Sequence, residues 1–161
     1  MRILVIGYGS IGKRHAANLK ELGNQVGIYD TRWDGTLNGE ELMRHHDDIA
    51  DWNPEAIIIA TPPDTHIFTA RRCLEYGVPL FIEKPLAVDS ILAGQFLDDA
   101  ERAGVTVTVG YQLRAMKSRR WLRKRYDMGV IGTAYAVHAE FAFDMGLWRT
   151  KPATYESSIL W

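Results

Sequence analysis

The sequence has little of what marks secreted, membrane or nucleic-acid-binding proteins. It has 1 cysteine in 161 residues, so an intrachain disulfide is excluded. No apolar run approaches the roughly 20 residues that cross a bilayer, and the residues after Met1 do not form a signal peptide. The formal net charge is -1, which gives no general attraction to nucleic acid or to anionic membranes. We therefore expect a cytoplasmic protein with neither of these partners.

Short apolar runs instead alternate with amphipathic segments. The runs typical of buried strands are 3–6, 26–29, 56–60, 80–82 and 105–109. Segments with helical periodicity follow Gly9, Pro63 and Asp89, and a short helix is expected over 40–50. This order predicts an α/β protein with a doubly wound parallel sheet, because parallel strands need helical crossovers.

A glycine-rich turn joins the first strand to the first helix. Residues 7–12 read Gly-Tyr-Gly-Ser-Ile-Gly, which matches G-x-G-x-x-G in the strand-to-helix context that the motif requires. Gly7 permits the tight turn, Gly9 admits a pyrophosphate close to the backbone, and Gly12 lets the helix pack on the strand. The pattern predicts a Rossmann fold that binds a dinucleotide at the N-terminus of this helix. The alternative is a plain strand-to-helix turn.

An acidic residue follows the second strand at the distance expected for ribose binding. Asp30 lies about 20 residues beyond the glycine turn, and a carboxylate there accepts hydrogen bonds from ribose hydroxyls and repels a 2′-phosphate. Thr31 and Arg32 come next, and the guanidinium of Arg32 could neutralise such a phosphate. We therefore favour NAD and leave NADP open.

Four motifs in order resemble the glucose–fructose oxidoreductase / inositol dehydrogenase (Gfo/Idh/MocA) family of oxidoreductases. They are the glycine turn with His15, Ala60-Thr61-Pro62-Pro63 with His66, Glu83-Lys84-Pro85, and Val109-Gly110-Tyr111-Gln112-Leu113-Arg114. The resemblance implies hydride transfer between a nicotinamide cofactor and a hydroxyl of a sugar, a cyclitol or a related small molecule. It covers nearly all of the chain and weakens after about Arg149.

The resemblance also implies roles for individual residues. Thr61 and Pro62 line the cofactor cleft, His66 borders its nicotinamide half, and Glu83 contacts the nicotinamide-side ribose. Lys84 points at the substrate hydroxyl as the catalytic residue. The cofactor-binding residues predicted from the motifs and the resemblance together are Gly7, Tyr8, Gly9, Ser10, Ile11, Gly12, Asp30, Thr31, Arg32, Ala60, Thr61, Pro62, His66, Glu83 and Gln112.

The chemistry expected at Lys84 follows from the reaction. Oxidising an alcohol by hydride transfer also removes its hydroxyl proton, which calls for a nearby base. Loss of solvent beside a cationic nicotinamide disfavours the ammonium form of lysine. Pro85 biases Lys84 toward an extended backbone, although the sequence leaves open whether the peptide bond between them is cis or trans. The alternative is a strand-end lysine in solvent.

Several other residues have functional types but a structural interpretation. His15 lies between apolar residues and is expected to pack rather than to act as a ligand or base. The run His45-His46-Asp47-Asp48 does not converge on one helix face, so no metal site is expected. Arg114–Arg125 is strongly basic, and we expect a helix that turns Leu122 and Tyr126 inward, or a patch that meets an anionic substrate, rather than a nucleic-acid site. Cys73 is expected to be half-buried.

The second part of the chain resembles only the start of a further α/β domain. We assign residues 1–128 to the dinucleotide-binding domain and 129–161 to an incomplete substrate or oligomerisation domain. The alternation over 133–143 predicts a strand, with His138 a poor substitute for the aspartate and histidine that the family supplies from that domain. Turnover is therefore left open, and the alternative is an NAD-binding module without turnover. We expect a homo-oligomer formed through 133–143.

Overall fold

The computed structural model describes residues 1–31, 37, 39–138 and 140. The chain falls into two compact units, Met1–Gly110 and a second that begins at Tyr111. The first contains the strands β1 (Arg2–Ile6), β2 (Gln25–Tyr29), β3 (Glu41–Met43), β4 (Ala56–Ile59), β5 (Leu80–Ile82) and β6 (Val107–Val109). Its helices are α1 (Ser10–Glu21), α2 (His46–Trp52), α3 (His66–Cys73) and α4 (Ser90–Arg102). The second unit contains α5 (Lys117–Asp127) after a 3-10 turn at Gln112–Ala115.

The strands form one parallel sheet in the order β3-β2-β1-β4-β5-β6. This is the doubly wound order in which the chain reverses direction between β1 and β4, and it confirms the predicted Rossmann fold. Ligands bind in such sheets at the carboxyl edge beside that reversal. The residues that follow β1 and β4 are therefore the ones that position a site.

Both faces of the sheet are buried at its centre, which explains why residues 3–6 of β1 and the whole of β4 are uniformly apolar. Leu4 and Ile6 point into a core shared with α2, α3 and α4. Ile3 and Val5 point to the other face, where Ala16 of α1 packs. A strand covered on both sides cannot alternate apolar and polar residues. The hydrophobic run over 3–6 is the direct consequence.

The structure corrects the expectation for 40–50. A single short helix was expected there, but Glu41–Met43 forms a parallel edge strand on β2 and the helix covers His46–Trp52. Three strand residues are too few to show an alternating pattern. Gly27 of β2 leaves the space that the Met43 side chain fills, since a Cβ there would lie 2.7 Å from the Met43 terminal methyl.

Smaller differences concern the ends of elements. A 3-10 turn at Pro63–Thr65 precedes α3 and another at Leu74–Tyr76 follows it. The sixth strand begins at Val107 rather than Val105. Asp89 caps α4 as expected, since its Oδ1 accepts the backbone N–H of Leu92 at 2.8 Å. None of the helices in the described part of the chain is long and apolar enough to cross a membrane.

Two expectations for the second unit are corrected. Leu122 and Tyr126 were expected to turn inward, but their exposed fractions are 52% and 47%. Residues 133–138 were expected to begin a strand, and they form none in the described structure, where Tyr135 is 94% exposed. A strand requires a partner for its backbone groups, and no described segment pairs with these residues. Residues 139 and 141–143 of the predicted strand lie outside the described residues.

Candidate functional site

A cleft of about 530 Å³ opens at the carboxyl edge of the sheet, at the reversal between β1 and β4. It lies entirely within the first unit. The predicted residues that line it are Gly7, Gly9, Ser10, Ile11, Asp30, Thr31, Ala60, Thr61 and Pro62. The structure thus brings together the glycine turn, the end of β2 and the loop after β4, which are far apart in sequence.

Three glycines shape the turn after β1, each for a different reason. Gly7 has φ of +91°, and a Cβ there would lie 2.8 Å from the carbonyl oxygen of Ala60. A Cβ on Gly12 would overlap the carbonyl oxygen of Gly7. Gly9 faces open space, with no atom within 4 Å of its Cβ position. Gly7 and Gly12 are therefore required by close packing within the protein. Gly9 is not, and the space at its Cβ position is not filled by described protein atoms.

No side chain among the described residues caps the N-terminus of α1 with a hydrogen bond. Its N-cap is Gly9, which has no side chain to accept a hydrogen bond, and its first turn contains no acidic residue. The unpaired N–H groups and the positive end of the helix dipole favour an anion there. This 12-residue helix, with the space above Gly9, matches what a pyrophosphate requires.

Asp30 is held in place by the glycine turn. Its Oδ2 accepts the backbone N–H of Tyr8 at 2.7 Å, so the carboxylate is oriented before any ligand binds. A carboxylate has acceptor capacity beyond one such bond and can also accept ribose hydroxyls. Tyr8 was predicted to bind cofactor, and the structure gives it this backbone role.

The Tyr8 side chain lies away from the cleft. It is 7% exposed and belongs to the core beneath α1. Burial raises the pKa of the phenol, as do the charge of Glu40 and its hydrogen bond. Glu40 is itself almost wholly buried and lies 2.8 Å from the ammonium of Lys20, so these side chains tie the segment before β3 to α1.

The sequence did not predict the wall formed by α3 and the 3-10 turns at its two ends. Thr65, Phe68, Thr69, Arg72 and Tyr76 line the cleft at successive helical spacings. Their pattern runs alongside the buried stripe of Ile67, Ala70 and Cys73. A feature of the sequence could have indicated this wall. The helix is amphipathic, and its second face carries Phe68, which is 66% exposed.

A buried hydroxyl in the loop after β4 has no hydrogen-bond partner among the described residues. The Thr61 Oγ1 is buried and makes no hydrogen bond within the described structure. Buried polar atoms are rarely left unsatisfied, and those that are call for an explanation. Since Thr61 lines the cleft, a polar ligand bound there would explain the unsatisfied hydroxyl, because it would provide the missing hydrogen-bond partner.

Glu83 follows β5 and is paired with His15. His15 Nε2 lies 2.8 Å from Glu83 Oε1, and the His15 ring meets the edge of Phe81 with centroids 5.5 Å apart. Burial raises the pKa of the carboxyl, but the hydrogen bonds from His15 and from the Lys84 backbone outweigh it, and the pKa lies below its usual value. His15 therefore packs, as expected, and also has a polar partner in Glu83, which does not line the cleft.

His66 is fully buried beneath the loops. Its Nδ1 lies 2.7 Å from the carbonyl oxygen of Pro85 and its Nε2 lies 2.9 Å from that of Thr61. The ring thus joins the loop after β4 to the loop after β5. The resemblance implies that His66 borders the nicotinamide half of the cleft, and the described contacts of its ring are with two protein carbonyls.

The remaining predicted residues divide into three cases. Lys84 is exposed between Glu83 and Pro85, and the Lys84-Pro85 bond is cis. Gln112 belongs to the second unit, and Arg32 lies outside the described residues.

Two other candidates from the sequence have structural roles. Cys73 is 3% exposed rather than half-buried, and burial, with the charge of Glu75, raises the pKa of its thiol to about 12. Asp48 accepts the backbone N–H groups of Arg44 and His45 at 2.8 Å, which lowers the pKa of its carboxyl and caps α2.

Residues 1–111 match the oxidoreductase family with an NAD-binding Rossmann fold, named GFO_IDH_MocA. The chain belongs to this family. The match covers every element of the sheet, so the first unit is an NAD-binding Rossmann domain, as the resemblance implied. The open position above Gly9, the uncapped end of α1 and the unpartnered Thr61 hydroxyl all fit that cofactor.

Relatives of the chain are inositol and sugar dehydrogenases. It is 31% identical over 150 residues to inositol 2-dehydrogenase 2 of Saccharopolyspora erythraea, covering 86% of this chain and 44% of that protein. It is 27% identical over 146 residues to myo-inositol 2-dehydrogenase of Thermotoga maritima, covering 85% and 44%. The chain thus spans less than half the length of these relatives.

Solved structures show the same fold. A probable dehydrogenase from Thermotoga maritima superposes with a TM-score of 0.73 at 29% identity, covering 82% of this chain and 42% of that one. The myo-inositol 2-dehydrogenase of Lactobacillus plantarum superposes with a TM-score of 0.70 at 25% identity, covering 82% and 42%.

Proposed function

We propose that this chain serves an NAD-dependent dehydrogenase reaction on a hydroxyl of a sugar, a cyclitol or a related small molecule. The observation that carries the proposal is the Glu83-Lys84-Pro85 segment at the carboxyl edge of β5, tied through His66 to Thr61 of the cofactor cleft. The strands β4 and β5 are neighbours in register, with Ile59 opposite Ile82. A lysine at this edge lies where the chemistry of an open α/β sheet takes place.

We assign each part of the cofactor to the residues that would bind it. Gly9 and the first turn of α1 would hold the pyrophosphate, and Asp30 would accept the adenosine ribose hydroxyls. Thr61 and Pro62 would line the path toward the nicotinamide. When bound, NAD supplies the centre that takes up or returns the hydride.

Lys84 would accept the proton of the substrate hydroxyl. Oxidation of an alcohol carbon by hydride loss leaves a carbonyl only if the hydroxyl proton also leaves. The neutral amine of Lys84 would accept that proton, and loss of solvent beside a bound cationic nicotinamide would favour the neutral form. Relatives that act on inositols favour a cyclitol or sugar as substrate.

The test is turnover by the chain and by one variant. The unaltered protein is assayed for NADH production with a panel of inositols and hexoses, and Lys84→Met is assayed beside it. General acid–base groups supply about 10²–10⁴ in rate, so Lys84→Met should lose activity by that order while retaining NAD binding within a few-fold. Lys117→Met, an exposed lysine of α5, is the matched control.

The outcomes separate the two classes of function. NADH production that Lys84→Met leaves unchanged would remove this lysine from the mechanism. NAD binding without turnover on any substrate would instead support the NAD-binding module.

A further inference from the structure

We propose that His15 and His66 are positioning residues that hold Glu83-Lys84-Pro85 from two sides and so fix where Lys84 lies. This inference rests on the role proposed for Lys84. Neither histidine lines the described cleft, so each acts through the segment it contacts.

His15 fixes the first residue of the segment. It projects from α1, the helix that begins at the glycine turn, and its Nε2 lies 2.8 Å from Glu83 Oε1. The other carboxylate oxygen, Oε2, accepts the backbone N–H of Lys84 at 3.2 Å. The carboxylate thereby links α1 to the amide of Lys84 itself. An N–H to carboxylate bond is stronger than a neutral one, so the link is well suited to restrict the segment.

The neighbours of this pair leave it little freedom. The Phe81 ring lies against His15, and Gly110 admits the pair, because a Cβ there would lie 3.0 Å from Phe81 and 3.4 Å from Glu83 Oε2. The backbone N–H of Glu83 donates to Ile59 at 2.9 Å. The backbone of Glu83 is therefore anchored to β4, and its side chain is anchored to α1.

His66 fixes the last residue of the segment. Its ring is fully buried, and both nitrogens face carbonyl oxygens, those of Pro85 and Thr61. Carbonyls only accept, so each contact needs an N–H; a neutral imidazole has one and an imidazolium has two. A buried aliphatic side chain would support neither loop. A ring in this position serves to hold the loops after β4 and β5 at a set separation.

Lys84 is the exposed residue between these two anchored neighbours. The pyrophosphate end of the cleft, formed by Gly9 and α1, and the carboxylate of Asp30 follow β1 and β2, whereas the segment follows β5. The arrangement therefore predicts an effect confined to ligands that reach beyond the pyrophosphate. A general loss of folding would instead weaken all ligands equally.

The experiment compares NADH with ADP by calorimetric titration. ADP carries the adenosine and the pyrophosphate, whereas NADH also carries the nicotinamide half. His15→Phe keeps an aromatic ring on Phe81 but removes the N–H donor, and His66→Leu removes both ring nitrogens. Each should weaken NADH about tenfold, as expected for one hydrogen bond to a charged or buried group, and leave ADP within twofold. His66→Gln, which restores one N–H donor, should recover part of the loss.

A second arm follows the ligand-free protein by amide hydrogen exchange. His15→Phe should speed exchange at the Lys84 amide, because the carboxylate that accepts it is released. The exposed His138 supplies the control, and His138→Phe should change neither exchange nor binding. Thermal unfolding by circular dichroism verifies that every variant is folded.

The outcomes distinguish this inference from the proposed function. Equal losses for NADH and ADP, or unchanged Lys84 exchange in His15→Phe, would overturn the positioning role. If the unaltered chain failed to bind NADH, the proposed function would be wrong. The exchange arm would then decide the inference by itself, with faster exchange confined to Glu83 and Lys84 in its favour and unchanged exchange against it.

Discussion

We expect Asp30 to be the residue that decides between NAD and NADP. Its carboxylate lines the cleft and is oriented by the Tyr8 backbone. If the adenosine ribose binds beside this carboxylate, as the motif predicts, a 2′-phosphate would meet its negative charge. Asp30→Ala should weaken NADH at least fivefold and spare or improve NADPH, because the repulsion disappears together with the ribose hydrogen bonds. Fluorescence titration with both nucleotides measures this.

The control for the Asp30 experiment is Asp51→Ala, an exposed carboxylate of α2. It should alter neither affinity. Preference for NADPH in the unaltered protein would contradict the assignment of Asp30.

Cys73 gives a prediction about pH. Burial raises the pKa of its thiol from 9.0 to about 12 in the folded chain. The unfolded chain therefore releases this proton first as the pH rises, so stability should fall between pH 9 and 12.

At pH 8 the folded thiol should react with iodoacetamide far more slowly than the urea-unfolded thiol, since the thiolate is the nucleophile. Rapid labelling of the folded protein would show that Cys73 is accessible.

At the level of elements, the glycine turn separates a binding requirement from a folding requirement. Gly9 has φ of -72°, which any residue adopts, and its Cβ position is open, so Gly9→Ala should fold normally. It should still weaken NADH markedly, because the methyl group occupies the space proposed for the pyrophosphate. Gly12→Ala should destabilise the fold by about 1–3 kcal/mol, because its Cβ overlaps the Gly7 carbonyl.

Urea unfolding and NADH titration on both variants test this separation. Gly94, inside α4 and facing open space, is the matched control. Gly94→Ala should raise stability by roughly 0.5–1 kcal/mol without affecting NADH. Loss of stability in Gly9→Ala would show that this turn depends on the glycine for its own packing.

Sequence patterns predicted the elements that are long or strongly apolar. The run over 56–60 and the glycine turn were recognisable because burial on two faces and close backbone approach restrict which residues are allowed. The edge strand Glu41–Met43 was not, because three residues on β2 depend on tertiary contacts rather than on a local pattern. The same holds for the pairs at the site, since nothing local relates His15 to Glu83 or His66 to Pro85.

For the whole molecule, the exposed apolar residues of the second unit lead to a prediction of self-association. Tyr135 and Val137 are 94% and 87% exposed, and residues 133–138 have no strand partner in the described structure. Covering a large apolar side chain is worth about 1.5–3 kcal/mol, and an extended segment can pair with its copy on another chain. We therefore expect a dimer or a larger assembly at high concentration. The double variant Tyr135→Lys, Val137→Lys should shift the chain toward monomer and leave NADH affinity unchanged. The control Lys117→Ala should change neither the mass nor the NADH affinity. Light scattering measures the mass of each.

An unaltered chain that stays monomeric at high concentration, with 133–138 protected from amide exchange, would show that the segment packs within its own chain.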